Sequence, residues 1–163
     1  MMQLLPTLFR SKPAIPKMDF SGEIAAVGPG VPSSRRLLVG SLVFGSILLG
    51  THLGGAGALA EYVVVSAENV VRKPENVSLE ESAGLGIAGC TALTLIERAR
   101  LKQGDSVLVN GASGGIGTFV VQMAKNIVGE SGRVVAICSG RNVELVKGIG
   151  ADEVGNLSLI LSH

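Results

Sequence analysis

The residues whose types and spacing most clearly indicate a binding function are four glycines in the stretch NGASGGIG, residues 110–117. Gly111, Gly114 and Gly117 recur at every third position, and Gly115 stands beside them. Glycines at such positions permit a tight turn, let the backbone approach a pyrophosphate, or let a helix lie close to a strand. The free amides and the positive dipole end of a following helix would face the phosphates. The pattern predicts a dinucleotide-binding loop; the alternative is a tight turn in an α/β domain that binds no nucleotide.

This loop requires a strand before it and a helix after it, and the flanking residues predict both. Val107 to Val109 is a short apolar run, and apolar residues then recur at spacings of three and four from Ile116 to Val128. A second strand is predicted over Arg133 to Ile137, and a second helix runs from Asn142 to Ile149 and ends at Gly150. The order predicts a βαβ unit with parallel, buried strands.

The residues after the second strand distinguish NAD from NADP. An NAD site usually has an acidic residue there, which binds the ribose 2′-hydroxyl, whereas residues 138–142 read CSGRN and contain no acid. Ser139 can donate a hydrogen bond to a 2′-phosphate, and Arg141 can donate a charge-assisted one. These residues favour NADP(H); the alternative for Arg141 is a solvated residue at a helix start.

The first half of the chain has no helical period and predicts short strands joined by turns, as in part of a β-barrel or sandwich. The expected strands are the apolar runs Ile24 to Val27, Leu42 to Gly45, Leu59 to Val65 and Val70-Val71, with a Gly-Pro-Gly turn after the first. The SLEE sequence at residues 78–81 predicts a helix capping box. Glycines should interrupt that helix, which resumes from Thr91 to Arg100.

Composition and charge exclude several classes of protein. The chain has 163 residues, of which 23 are glycine without a collagen period, 47% are hydrophobic and the net charge is +1. This balance argues against disorder and against nucleic-acid binding. Cys90, Cys138 and His52 do not stand at zinc-ligand spacing, so we expect no metal and a reducing compartment. The expected location is the cytoplasm, with a weak mitochondrial transit peptide as the alternative because residues 1–17 are basic and acid-free.

An uncharged stretch from Leu37 to Ala60 has the length of a membrane-spanning helix and follows two arginines. Six of its residues are glycines, which break it into short apolar runs. Such runs are more typical of buried strands joined by turns, so we expect no membrane association.

Taken in order, these segments resemble the medium-chain dehydrogenase/reductase superfamily, and within it the zinc-independent quinone oxidoreductases and enoyl reductases. The segments that carry the resemblance are DFSGEIAAVGPGV (19–31), LVFG (42–45), GALAEYVVV (57–65), SLEESAGLGIAGCTAL (78–93), NGASGGIG (110–117) and GADEV (150–154). The resemblance implies a partial β-rich GroES-like domain over residues 1–82 and a partial Rossmann NADP-binding domain over residues 83–154. Residues 155–163 form a tail that does not match the family.

The resemblance also implies roles for individual residues. It assigns Thr91 to the nicotinamide side of NADPH, and it assigns the pyrophosphate loop to Ser113, Gly114, Gly115 and Ile116. It assigns Ser139, Arg141 and Asn142 to the adenosine-ribose end. The implied reaction is direct hydride transfer to a quinone or to an activated C=C or C=O group. No catalytic residue is predicted, because Tyr62, the single tyrosine, fits a strand better than a proton donor.

The chain departs from the family pattern at both ends. Met1 falls where relatives already have part of the GroES-like domain, and the unmatched tail leaves one βαβ unit with an exposed apolar edge strand. We therefore expect a truncated reductase, and the alternative is a catalytically inactive remnant that at most binds a dinucleotide. Full-length relatives are often homodimers, which leaves the oligomeric state of this chain open.

Overall fold

The computed structural model describes residues 14–156. The chain divides between Ile87 and Ala88 into two compact units. The first is built on an antiparallel sheet and the second on a parallel sheet with helices, which confirms the predicted fold class of a β-rich unit followed by a Rossmann-type unit. The basic segment before residue 14 and most of the expected tail lie outside the described residues.

The first unit contains a three-stranded antiparallel sheet in the order β1-β2-β3. Its strands are β1 (Asp19–Glu23), β2 (Leu42–Ser46) and β3 (Val70–Arg72). Two short helices accompany them, α1 (Leu49–Leu53) and α2 (Leu79–Ser82), with 3-10 turns at Ser33–Arg35 and Ala67–Asn69. A small core forms around the sheet from the buried side chains of Leu37, Val43 and Val70. The predicted strands at residues 42–45 and 70–71 are therefore confirmed.

The predicted strand at Ile24 to Val27 is wrong. The strand lies earlier, at β1, and ends at Glu23 opposite Leu42, the first residue of β2. The Ile24 amide still donates to the Ser41 carbonyl over 3.0 Å, but residues 25–27 are not in a strand. The length of a strand is set by the neighbour that hydrogen-bonds to it, and the apolar run alone does not report that neighbour. The turn expected after this run is present, with the Val31 amide donating to the Gly28 carbonyl over 3.2 Å.

The segment from Leu59 to Val65 was also expected to be a strand and is not one. Tyr62 and Val64 are 78% and 96% exposed, whereas Val63 and Val65 are half-buried. Val65 packs against the core of the first unit, so the alternation marks a partly buried face without strand pairing. Alternation is a local signal, whereas a strand also needs a neighbour that pairs with its amides and carbonyls.

The uncharged stretch contains β2, as expected, but α1 replaces a second buried strand within it. The His52 amide donates to the Leu48 carbonyl over 2.9 Å, which is helical pairing. Leu49 and Leu53 are 54% and 51% exposed, so α1 is not part of a buried core. Across residues 14–156, no helix is long and apolar enough to cross a membrane.

The helix start predicted at residues 78–81 is confirmed. The Glu81 amide donates to Ser78 Oγ over 3.1 Å, and the Ser78 amide donates to Glu81 Oε2 over 2.8 Å, which completes a capping box. A π-helical turn at Leu85–Gly89 then interrupts the helix before α3 (Cys90–Ala99) begins. The glycines therefore break this helix where the sequence predicts.

The second unit contains a parallel sheet in the order β4-β5-β6. Its strands are β4 (Ser106–Asn110), β5 (Arg133–Cys138) and β6 (Glu153–Asn156). Helix α4 (Gly115–Val128) joins β4 to β5, and a 3-10 turn (Gly140–Asn142) with α5 (Val143–Gly148) joins β5 to β6. The core between sheet and helices is fully buried at Val121, Ala124, Val128, Val134 and Val146. The predicted βαβ unit is confirmed.

The expectation of a single βαβ unit is wrong, because β6 adds a third parallel strand. Its register runs from Val135 opposite Glu153 to Cys138 opposite Asn156. Asp152, just before β6, connects this strand to the start of β5, since its Oδ2 accepts a hydrogen bond from the Val134 amide over 2.7 Å. Residues 155 and 156, assigned to the tail, thus complete the sheet.

Candidate functional site

The glycine loop lies at the carboxyl end of the parallel sheet, between β4 and α4. Open parallel sheets bind their ligands outside the carboxyl ends of the strands. The Ala112 amide donates to the Ile137 carbonyl over 3.0 Å, which ties the loop to the end of β5. The loop and the residues that follow β5 therefore share one edge of the sheet.

Two glycines of the loop are required by the fold. Gly111 has φ +70°, a backbone conformation that other residues rarely adopt. A Cβ on Gly117 would lie 2.2 Å from the Gly111 carbonyl oxygen and 2.8 Å from the Ala112 Cα. The turn and the close approach of helix and loop explain these glycines without a ligand.

The fold does not explain Gly114 and Gly115 in the same way. Both are exposed, and Gly114 has an extended conformation with φ −81° and ψ 166° that any residue adopts. A Cβ on Gly114 would meet the Gly111 carbonyl oxygen at 3.3 Å, and one on Gly115 would meet only Ala88 Cβ, at 3.8 Å. Gly115 thus has no tight contact with the described residues, and Gly114 has one, to the Gly111 carbonyl oxygen.

The start of α4 supplies hydrogen-bond donors beside these two glycines. The first four amides of a helix have no acceptor within the helix, and here they belong to Gly114, Gly115, Ile116 and Gly117. The Gly114 amide is committed elsewhere, since it donates to the Gly111 carbonyl over 3.0 Å and closes the turn. Phosphate recognition would therefore rest on the first turn of α4, and Gly114 would contribute open space.

Asn142 connects the glycine loop with the residues after β5. Its Nδ2 donates to Ser113 Oγ over 2.9 Å and to Ser139 Oγ over 3.0 Å. The structure therefore brings together three residues that the resemblance assigned to two ends of a cofactor. Arg141 lies beside them in the 3-10 turn, with an exposed side chain that pairs with no acid in residues 14–156.

Thr91 lies in the first turn of α3 and is half-buried. Ala88, just before α3, is the residue nearest to Gly115. The starts of α3 and α4 are therefore neighbours, although no hydrogen bond connects Thr91 with the glycine loop in the described part of the chain. Ile116 is 38% exposed at the start of α4.

The sequence did not predict the position of Asn156 beside this edge. A Cβ on Gly140 would lie 3.0 Å from Asn156 Nδ2, which places the end of β6 against the 3-10 turn. Recognition of β6 would have revealed it, because a polar residue at the end of a parallel strand reaches the ligand edge.

The first unit contains a carboxyl group with a shifted pKa, that of Asp19. Burial raises the pKa of its carboxyl group, and the Ile87 amide, which donates to Oδ1 over 3.0 Å, opposes that rise. Within residues 14–156, no group of three or more His, Cys, Asp or Glu side chains is arranged to hold a metal ion.

Comparison with protein families gives one match in the first half of the chain. Residues 3–75 match the alcohol dehydrogenase GroES-like domain. Among curated proteins, the chain is 41% identical to a chloroplast envelope quinone oxidoreductase homolog of Arabidopsis thaliana, over 91% of this chain and 44% of that protein. It is 33% identical to the trans-enoyl reductase poxH of Penicillium oxalicum, over 86% of this chain and 41% of that protein. The chain thus spans less than half the length of these relatives.

Solved structures give the same picture. The quinone oxidoreductase from Coxiella burnetii has a TM-score of 0.78 at 31% identity and covers 94% of this chain with 46% of its own. Mycobacterial Rv1454c, solved in complex with NADPH, has a TM-score of 0.70 at 30% identity, over 85% of this chain and 40% of that one.

Proposed function

Since this chain belongs to the medium-chain dehydrogenase/reductase superfamily, among the zinc-independent quinone oxidoreductases and enoyl reductases, we propose that it binds NADP(H) at the carboxyl edge of its parallel sheet. We further propose that it serves an NADPH-dependent oxidoreductase whose substrate is a quinone or an activated C=C or C=O compound. The observation that carries the cofactor proposal is the exposed glycine pair Gly114 and Gly115 at the start of α4, where Gly115 has no tight contact within the protein that would require a glycine.

Different residues of this edge bind different parts of the proposed cofactor. The amides of Gly115 and Ile116 bind the pyrophosphate at the positive end of α4. Ser139 and Arg141 bind the 2′-phosphate, and the absence of an acid in residues 138–142 removes the repulsion that an NAD-type site would cause. Thr91 contacts the nicotinamide side.

The chain contributes binding and orientation, whereas NADPH supplies the hydride when it is bound. A mycobacterial relative that carries NADPH supports the choice of cofactor. The free thiols of Cys90 and Cys138 are compatible with the reducing, cytoplasmic location that we propose.

Fluorescence titration of the 163-residue chain with NADPH and NADH tests the cofactor proposal. We expect Arg141→Ala to weaken NADPH binding by about 10- to 100-fold, because a charge-assisted hydrogen bond to phosphate is lost, and to change NADH binding by less than about twofold. Arg133→Ala is the matched control, since Arg133 is an exposed arginine at the opposite end of β5, where it pairs with Glu153. Equal losses for both nucleotides would contradict a 2′-phosphate contact.

Oxidation of NADPH in the presence of a quinone or an enone tests the reaction. Turnover supports the oxidoreductase. NADPH binding without turnover supports the second candidate, an inactive chain that binds a dinucleotide. Absence of NADPH binding overturns both.

A further inference from the structure

Asn142 uses both hydrogens of its amide group on serine hydroxyls from two different loops. Nδ2 donates to Ser113 Oγ, in the glycine loop, over 2.9 Å and to Ser139 Oγ, after β5, over 3.0 Å. Asn142 is half-buried and ends the 3-10 turn, so its amide is held between the two loops.

This arrangement determines where the serine hydrogens point. A hydroxyl group has one hydrogen and two acceptor lone pairs, and an amide NH2 group only donates. Each serine oxygen therefore accepts one hydrogen bond from Asn142, and its own hydrogen is not used in that bond. In residues 14–156, no protein acceptor takes either hydrogen, so both remain available to a bound group.

Ser113 and Ser139 thus join Arg141 as donors at one edge, without an acid among residues 138–142. A phosphate, whose oxygens accept hydrogen bonds, can bind the two serine hydrogens and the Arg141 guanidinium. The two serines lie on different loops and need not bind the same phosphate.

We propose that Asn142 is a positioning residue that holds Ser113 and Ser139 in place as hydrogen-bond donors to the phosphate groups of the bound cofactor. The proposal rests on the proposed function and deepens it, since it names the residue that holds two hydrogen-bond donors of the cofactor site in place. Ser113 serves the pyrophosphate, and Ser139 serves the 2′-phosphate.

The test uses the full chain and titration with NADPH, NADH and 2′-AMP, which carries the 2′-phosphate without a pyrophosphate. Asn142→Asp keeps the side-chain shape but accepts both hydroxyl hydrogens and turns the donors inward. We expect it to weaken NADPH binding by about tenfold or more, and 2′-AMP binding similarly. Asn126→Asp, at an exposed position in the second half of α4, is the control for the added charge and should leave binding within about twofold.

A double-mutant cycle separates positioning from direct contact. Asn142→Leu should weaken NADPH binding by about three- to tenfold in the natural chain and have no further effect when Ser113→Ala and Ser139→Ala are both present. A full additional loss in that background would overturn the proposal. Ser139→Ala should affect NADPH and 2′-AMP but not NADH, whereas Ser113→Ala should affect NADPH and NADH but not 2′-AMP.

The outcomes distinguish this proposal from the proposed function. If the natural chain binds no NADPH, both fail. If it binds NADPH and the folded Asn142 variants bind it equally well, only the positioning role fails. Should neither Asn142 variant fold, as judged by circular dichroism, unchanged NADPH affinity of the two single serine variants would overturn the proposal, and selective losses would support it.

Discussion

The glycines of the loop differ in what they do, although the sequence shows them as one repeat. Gly111 is required by its φ of +70°, and Gly117 by a backbone oxygen that lies 2.2 Å from where its Cβ would be. Gly115 is required by neither conformation nor close packing, and Gly114 has only one tight contact, at 3.3 Å from the Gly111 carbonyl oxygen to an added Cβ. The two kinds of position separate folding from ligand binding, and substitutions tell them apart.

At Gly114 we predict that valine abolishes NADPH binding and leaves the chain folded. The branched side chain would occupy the space that we assign to the pyrophosphate, while its Cβ would lie 3.3 Å from the Gly111 carbonyl oxygen, which a small shift of the loop accommodates. We expect affinity to fall by at least about 100-fold, measured by fluorescence titration, with a nearly unchanged melting temperature by circular dichroism.

Gly148→Val is the matched control for this substitution. Gly148 ends α5 and has no atom within 4 Å of an added Cβ, so valine there tests the effect of a β-branched residue alone. Unchanged NADPH affinity in folded Gly114→Val would refute the pyrophosphate position.

At the scale of elements, the two ends of the parallel strands have different tasks. The carboxyl end carries the candidate site, and the amino end carries the contacts that hold helices and strands together. Asp152 is central there, since Oδ1 accepts Lys125 Nζ from α4 and Oδ2 accepts the Val134 amide at the start of β5, each over 2.7 Å. The Lys125 hydrogen bond, followed by the Val134 amide, lowers the pKa of the Asp152 carboxyl group.

We predict that Asp152→Asn destabilises the chain slightly at pH 7 and less in acid. A carboxyl group with a lowered pKa in the folded state stabilises the fold above its unfolded pKa, about 3.9. That stabilisation is lost as the pH falls through the folded pKa, so the difference between the natural chain and the variant should shrink progressively in acid. The measurement is the urea midpoint of unfolding between pH 7 and pH 2.5.

Glu153→Gln provides the control for this pair. It removes the ion pair of Arg133 with Glu153, whose side chains are 60% and 56% exposed and 3.1 Å apart, and exposed pairs contribute little to stability. Its urea midpoint should follow the natural chain at every pH. A difference between natural chain and Asp152→Asn that persists undiminished at pH 2.5 would show that the carboxylate charge is not the cause.

For the whole molecule, the position of β4 at the edge of the parallel sheet bears on association between chains. In the described residues, β4 pairs with β5 on one side only, and Leu108 in its middle is 65% exposed. Unpaired edge strands with apolar side chains pair with other chains, whereas lysine on an edge opposes this.

We therefore predict that Leu108→Lys lowers concentration-dependent association of the 163-residue chain by at least about twofold, measured by sedimentation velocity. Leu145→Lys is the control, since Leu145 is 53% exposed but lies on α5, away from any strand edge. A chain that is monomeric at all concentrations, or two variants with equal effects, would contradict association through β4.

What the sequence determined by itself is the set of features encoded within a few neighbouring residues. The capping box at residues 78–81, the turn at Gly111, the apolar period of α4 and the acid-free end of β5 all depend on short-range geometry. Their order along the chain was sufficient to predict the fold class and the edge of the sheet where a cofactor would bind.

Which segments pair as strands, and which side chains form hydrogen bonds over long sequence separations, depends on the tertiary structure. The apolar alternation at residues 59–65 lacks a pairing strand and forms no strand, although Val65 packs against the core of the first unit, whereas β6, which the sequence did not predict, pairs with β5. In the same way, Asn142 meets Ser113 across 29 positions of sequence. Hydrogen-bond partners and close packing depend on which distant segments the fold brings together. Local sequence patterns do not show which distant segments will pair.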